Sequence, residues 1–258
     1  MQTVRAKKAL GQHFLTDESI ALRIVESLDN EIRNVLEVGP GMGVLTKHLV
    51  TRSNTNFRAI EIDLESADFL HQNYPQLHLI EGDFLRLPLD NLFDSPFAVI
   101  GNFPYNISSQ ILFRVYEHRN LVPEVVGMFQ KEVAERITAK PGSKVYGILS
   151  VLLSAFYETE YLFTVSEHVF NPPPKVKSAV IRLRRNSTSQ LDCDETLFVK
   201  TVKAGFNQRR KTLRNALKPL CMDIDSVPAS LLSCRAEQLS VDKFVKLTNC
   251  LLPLNQPA

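Results

Sequence analysis

Residues 35–43 read Val-Leu-Glu-Val-Gly-Pro-Gly-Met-Gly, a short apolar run that breaks into three glycines at alternate positions. No other segment restricts the fold as much. An apolar run of this length reads as a buried strand, and glycines so spaced allow a tight turn whose backbone can approach a ligand closely. Similar runs recur at residues 57–62, 77–80, 97–100 and 125–129. Helical stretches separate them at 45–51, 64–72, 108–118 and 131–139. An earlier helix is expected to begin with Thr16 as its N-cap and to carry Ile20, Ile24 and Leu28 on one face. This alternation predicts an α/β fold, a Rossmann-like parallel sheet with helices on both faces and right-handed crossovers.

Further along, residues 160–165 and 178–184 read as two more strands around Asn171-Pro172-Pro173-Pro174, which would close the sheet with a hairpin. From about residue 186 a Ser/Thr-rich linker gives way to helical segments only. The expected division is therefore a sheet domain over 1–187 and a small helical domain over 188–258. A chain of 258 residues with 44% hydrophobic content can bury such a core.

Charge is unevenly spread. The formal net charge is only +2, but residues 186–258 hold 10 basic side chains against 7 acidic ones. Residues 196–222 contain no acid and carry Lys200, Lys203, Arg209, Arg210, Lys211, Arg214 and Lys218. A second acid-free run, 168–191, carries Lys175, Lys177, Arg182, Arg184 and Arg185. Beside a base-binding pocket such runs suit phosphate contacts that position RNA without reading its sequence. Cys193, Cys221, Cys234 and Cys250 form no metal-ligand spacing, so free thiols and no metal are expected. With neither a signal peptide nor a membrane-length apolar run in view, the reading is cytoplasmic.

Three successive strand ends carry ligand-type groups. After the glycine turn, with Gly39 and Gly41, the second strand ends at Glu61 and Asp63, about twenty residues on, where a carboxylate can accept from ribose hydroxyls. Glu61, nearer the strand end, is the better candidate. The third ends at Asp83, which can accept from an adenine amino group, beside Phe84. A nucleoside across the carboxyl edge of the sheet fits this series. The dinucleotide fingerprint would need glycine at position 44, where the chain has Val44, so pyrophosphate is not the expected ligand.

The fourth run leads into Gly101-Asn102-Phe103-Pro104-Tyr105. The exocyclic amine of adenine is a poor nucleophile, because its lone pair is delocalised into the ring. The Asn102 side-chain oxygen and the Phe103 carbonyl can each accept an amine proton and localise that pair. Pro104 biases Phe103 away from helical angles and has no N–H to compete. Tyr105 offers a flat face for a base taken out of its stack.

With these motifs the chain resembles the ribosomal RNA adenine N6-dimethyltransferase family, in particular its bacterial small-subunit branch. The likeness extends to Lys8-Ala9-Leu10-Gly11-Gln12-His13-Phe14-Leu15, Gln130-Lys131-Glu132-Val133-Ala134, residues 170–180 and Phe206-Asn207-Gln208-Arg209-Arg210-Lys211-Thr212-Leu213. It implies that S-adenosylmethionine is the cofactor, lined by His13, Leu15, Gly39, Glu61, Asp83 and Asn102, and that Phe170 stacks on the target adenine opposite Tyr105. It implies N6,N6-dimethylation of two adjacent adenosines in small-subunit rRNA by a monomer. Three positions depart from the family pattern: His13 stands where Asn is usual, Phe103 where Leu is usual and Ile148 where Arg is usual. The rival readings are a large-subunit methylase of the erythromycin-resistance type and a mainly non-catalytic ribosome-assembly or RNA-binding factor.

Overall fold

The structure is a computed structural model that describes residues 4–253. Seven strands form one sheet: β1 (Asn34–Val38), β2 (Asn56–Glu61), β3 (His78–Glu81), β4 (Phe97–Asn102), β5 (Glu124–Gln130), β6 (Tyr157–Val165) and β7 (Ser178–Arg185). They pair in the order β3-β2-β1-β4-β5-β7-β6. Strands β1 to β5 run parallel, and β7 is antiparallel to β5 from Glu124↔Arg184 to Gln130↔Ser178.

The sheet centre explains why these strands were visible as apolar runs. Val35, Leu36, Ala98, Val99, Ile100, Val125 and Val126 are fully buried. A parallel strand covered on both faces has no polar side to alternate with. Below one face lies a core joining Ile24, Leu45, Leu49, Ile100, Met128 and Val180. The expected hairpin joins neighbouring β6 and β7, but β6 begins at Tyr157, earlier than the polarity of Glu158 and Glu160 suggests. Its connection contributes Phe170–Asn171, which pairs antiparallel with Phe14–Leu15.

Helices α1 (Glu18–Glu26), α2 (Thr46–Leu49), α3 (Leu64–Asn73), α4 (Ser108–Glu117) and α5 (Lys131–Ile137) follow the predicted stretches closely. The cap of α1 differs. Thr16 turns away to donate from both its amide and its hydroxyl to the Val169 carbonyl, at 2.8 and 2.9 Å. The carboxylate of Asp17 caps instead, accepting from Ser19 N at 2.9 Å and Ile20 N at 3.1 Å.

A helix that sequence periodicity does not mark, α6 (Ile148–Phe156), changes the domain division. Two compact units are present. The first runs to Ala134 and resumes over Glu158–Arg185, whereas the second combines Glu135–Tyr157 with the chain from Asn186 onward. The continuous 1–187 domain is thus interrupted. The cause is hydrophobic: seven of the nine residues of α6 are buried, so it needs helical neighbours on several sides. Those are α7 (Glu195–Asn207) and α10 (Val241–Asn249), and the unit also holds α8 (Leu213–Ala216) and α9 (Ala229–Leu232). Tyr146 meets Phe206 edge-on at 6.0 Å, and Phe206 meets Phe244 at 6.1 Å.

Replacing Asp17 with alanine leaves two amides of the first turn of α1 without their cap. Denaturant titration should show a loss of about 1 kcal/mol, whereas Thr16→Val, if Thr16 were the cap, would cost as much as Asp17→Ala.

Candidate active site

Strand order reverses between β1 and β4, and the crevice at such a switch point opens beyond the carboxyl ends of the strands. Residues 10–15, the glycine turn, Ile60 to Ile62, Gly82 to Leu85 and Asn102 to Ile107 line it. Gly39, Gly41 and Gly43 have φ of +70°, +57° and +79°, a region that strains any L side chain. A Cβ at Gly41 would also lie 2.9 Å from the Phe14 ring, and one at Gly43 only 2.6 Å from Tyr74. At Gly41 and Gly43 backbone strain and a clash both favour glycine, whereas at Gly39 the strain alone does.

Glu61 holds this turn in place. Its buried carboxylate accepts from Gly41 N at 3.0 Å and from Ile62 N and Asp63 N at 2.9 Å. Burial pushes its pKa above the ordinary carboxylate value against the pull of those three bonds. Glu61 therefore both lines the cleft and ties the end of β2 to the turn after β1. Asp63 serves a different end. It caps α3 through Glu65 N and receives the Lys7 ammonium and, at 3.0 Å, the Gln12 amide. Burial pushes its carboxyl up, but the bonds from Lys7, Gln12 and Ser66 outweigh that and hold it below its ordinary value. The N-terminal strap is thereby fastened along the cleft.

The catalytic candidates converge at the other lip. Asn102 donates from Nδ2 to the His13 carbonyl at 2.9 Å, which orients its Oδ1 as an acceptor. Ile107 N takes the Pro104 carbonyl at 3.2 Å and Ser108 Oγ takes that of Tyr105 at 2.9 Å, while the Phe103 carbonyl accepts no such bond among the described residues. The Phe103 side chain is buried against Phe129. Tyr105 stacks on His13 at 5.4 Å and 27°, and its hydroxyl is 2.5 Å from Ser178 Oγ. His13 Nδ1 sits 2.8 Å from the Pro172 carbonyl, so it carries the proton.

Leu15, Gly39, Gly41 and Asp83 also reach the cleft, Asp83 with Oδ1 accepting from Leu85 N at 2.9 Å. Phe170 does not. It is 4% exposed, opposite Leu15 in the short ribbon and packed among Leu15, Val165 and Val180. Its apolar ring is worth more in that core than in water, so the structure does not bring it face to face with Tyr105.

Lys175 and Lys177 are exposed on the sheet unit, and Arg210, Lys211 and Arg214 are exposed on the helical unit. Arg209 is tied down, its guanidinium donating to the carbonyls of Ser143 and Lys144. It acts as a brace within the helical unit, whereas its neighbours Arg210, Lys211 and Arg214 stay exposed.

Two residues of the cleft escaped the sequence reading. Ile62 is 52% exposed between two acids, an apolar surface suited to the face of a purine. Glu37, an acid inside an apolar strand, is fully buried and accepts from Thr46 Oγ1 at 2.7 Å. Its position in the run was the available signal. Burial, with a smaller push from Glu61, raises its pKa to about 8.

A doubly wound sheet with this glycine turn, an acid at the end of β2 and Asn-Phe-Pro-Tyr after β4 defines a class I methyltransferase. Within that class the chain belongs to the ribosomal RNA adenine dimethylase family, whose model matches residues 3–251. It is 57% identical to the ribosomal RNA small subunit methyltransferase A of Cytophaga hutchinsonii over 255 residues, 97% of this chain and 99% of that one. The Bacteroides thetaiotaomicron protein of the same name is 56% identical, with 96% and 95% covered. Among solved structures, a dimethyladenosine transferase from Plasmodium falciparum matches with a TM-score of 0.72, 26% identity and coverage of 91% and 96%. The 23S rRNA methyltransferase ErmE matches with a TM-score of 0.69, 27% identity and coverage of 92% and 99%.

The Glu37 carboxyl gives this site a pH signature. A folded-state pKa raised from 4.5 to about 8 means that the native protein holds a proton the unfolded chain releases, so stability falls as pH rises across that interval. Glu37→Gln keeps an acceptor for Thr46 and should flatten this decline. Thermal midpoints measured from pH 5 to pH 8 check it, and an unchanged slope would show that Glu37 is not the titrating group.

Proposed function

We propose that this chain transfers methyl groups from S-adenosylmethionine to N6 of two adjacent adenosines in small-subunit rRNA, producing N6,N6-dimethyladenosine. The observation that carries the reading is the Asn102 amide. With Nδ2 donating to the His13 carbonyl, Oδ1 is presented as an acceptor next to the Phe103 carbonyl, which accepts no hydrogen bond among the described residues. Two acceptors on adjacent residues suit the two protons of an exocyclic amine. The small-subunit assignment is supported by relatives that share more than half of their residues with this chain and carry that name.

The cleft fits the cofactor by its chemistry. Gly39 and Gly41 line the cleft without side chains and leave room for a nucleoside-bearing amino acid, and Glu61, Asp83, Ile62 and Phe84 offer acceptors and apolar walls to a ribose and a purine. Its amino-acid portion would lie toward Gly39 and Gly41. When bound, S-adenosylmethionine supplies an electrophilic methyl group on a positively charged sulfur. The protein has to align the amine and localise its lone pair. Asn102 Oδ1 and the Phe103 carbonyl accept the amine protons and strengthen their hold as nitrogen becomes tetrahedral. Tyr105, fixed by His13 and Ser178, offers the base a face. The exposed lysines and arginines of both units supply phosphate contacts, and the protein works in the cytoplasm as a monomer.

Asn102→Ala should therefore lower the methylation rate by at least about tenfold while RNA affinity stays near wild type, because phosphate contacts supply most of that affinity. Labelled S-adenosylmethionine, given with unmethylated small or large subunits in parallel and followed by mass spectrometry of digests, reads both rate and product. Wild-type rates from the variant would remove Asn102 from the mechanism, and label confined to large subunits would move the chain to the resistance-methylase branch.

Arg210, Lys211 and Arg214 separate from Arg209 in a second measurement. Reversing the charge of the three exposed residues should weaken RNA binding and flatten its dependence on salt with cofactor affinity unchanged. Arg209→Ala should chiefly lower the melting temperature; a salt slope reduced as much as by the triple reversal would make it a phosphate contact after all.

A further inference from the structure

Phe103 directly follows β4, with its carbonyl at the cleft and its ring turned inward, 1% exposed. That ring lies over two glycines that are register partners on adjacent parallel strands, Gly101 of β4 and Gly127 of β5. A Cβ on Gly127 would lie 2.1 Å from Cε2 of the ring and 2.7 Å from Cδ2. One on Gly101 would lie 2.8 Å from Cε1 and 3.0 Å from Cδ1, and also 2.6 Å from the Val38 carbonyl oxygen. Phe129 closes the third side, its ring centroid 5.1 Å away. Neither glycine is at positive φ, so backbone conformation does not demand them. What Gly127 provides is volume, a seat that a phenyl ring fills and that any side chain would obstruct.

We propose that Gly127 is a positioning residue for methyl transfer. Its missing side chain lets the Phe103 ring sink between β4 and β5, and the seated ring sets where the Phe103 carbonyl stands beside Asn102 Oδ1. This rests on the reading above, in which that carbonyl accepts an amine proton. The backbone here is short and stiff. Phe103 N is held by the Met128 carbonyl at 3.3 Å, and the Pro104 ring follows at once. A ring pushed out of its seat therefore has to drag its own peptide unit. Displacements of about 1 Å at a reacting centre can cost on the order of a hundredfold in rate. Gly127 is not among the residues that line the cleft, and its effect is exerted chiefly through Phe103, the nearest neighbour, with a lesser clash against Phe129 Cε2 at 2.9 Å.

The test is a double-mutant cycle between Gly127→Ala and Phe103→Leu, read as kcat, KM for small subunits, cofactor Kd and thermal midpoint. Leucine lacks Cε2, the atom nearest the added methyl, and its branch can rotate away from it. Gly127→Ala should lower kcat by at least about tenfold, with cofactor Kd within about twofold and KM little changed. Adding Phe103→Leu to Gly127→Ala should recover part of that kcat, the lesser contact with Phe129 remaining, although Phe103→Leu alone loosens the seat and slows the enzyme. Gly101→Ala is the control. Its clash with the Val38 carbonyl remains whatever stands at 103, so Phe103→Leu should not rescue it. Wild-type kcat in Gly127→Ala, or a double variant no faster than Gly127→Ala, would overturn the proposal. Should Gly127→Ala fail to fold, the double variant is compared with Phe103→Leu: equal kcat supports the seat, and continued misfolding refutes it. A wild-type protein inactive on both subunits would instead overturn the functional reading and the catalytic part of this one, leaving the coupling of thermal midpoints to report on the seat alone.

Discussion

The carboxylate of Glu61 is the point on which the site turns. Three backbone amides from two different segments converge on it, and one of them belongs to a glycine in the left-handed region. A buried carboxylate with three donors is well satisfied, and removing it would leave several amides unpaired at once. The cleft thus has a shape of its own because the turn after β1 cannot drift relative to the end of β2. Asp63, two residues on, extends the same arrangement to the N-terminal strap through Lys7 and Gln12. The strap delivers the His13 carbonyl that orients Asn102. A single stretch, Glu61 to Asp63, is connected through short polar links to the opposite lip of the cleft.

Those links also separate binding from chemistry. Glycines, Glu61, Ile62 and Asp83 occupy the ends of β1 to β3, whereas Asn102 ends β4 and Phe103 and Tyr105 follow it, across the reversal of strand order. In the proposed reading one set holds a nucleoside and the other the edge of a base. His13 belongs to both. Its carbonyl serves Asn102, its ring stacks on Tyr105 and its Nδ1 reaches Pro172. The departure from the asparagine usual in the resembling family therefore places an aromatic ring where an amide would have offered none.

Much of this could be read from residues alone, for physical reasons that differ from place to place. Parallel strands buried on both faces are continuous apolar runs, so β1, β4 and β5 were plain, and β2 and β3 showed as shorter runs nearer the sheet edge. The glycine turn and the Asn102 segment were plain because few other structures need those residues in that order. Helix α6 was not, since a helix buried on several sides has no polar face and hence no period to detect. Thr16 and Asp17 are both good caps, and only the Val169 carbonyl decides between them. Phe170 and Arg209 carry the residue types their expected roles require, but the packing of one and the carbonyl partners of the other are tertiary facts. Glu37 and Ile62 were visible as an acid in an apolar run and an apolar residue between acids, without anything local to say that both face one cleft.

The helical unit is assembled from two stretches of chain, with β6 and β7 of the sheet inserted between them. Interleaving of this kind makes the molecule hard to divide. A chain ended after the sheet, near residue 187, would retain α6 and Tyr146 but lose α7 and α10, leaving apolar surface bare to water and prone to self-association. Synthesis meets the same constraint in time. The first portion of the helical unit emerges early and has to wait through both closing strands before its partners arrive, so the catalytic sheet and the basic helices are coupled by the order of the chain, and neither can be inherited without the other by a simple cut.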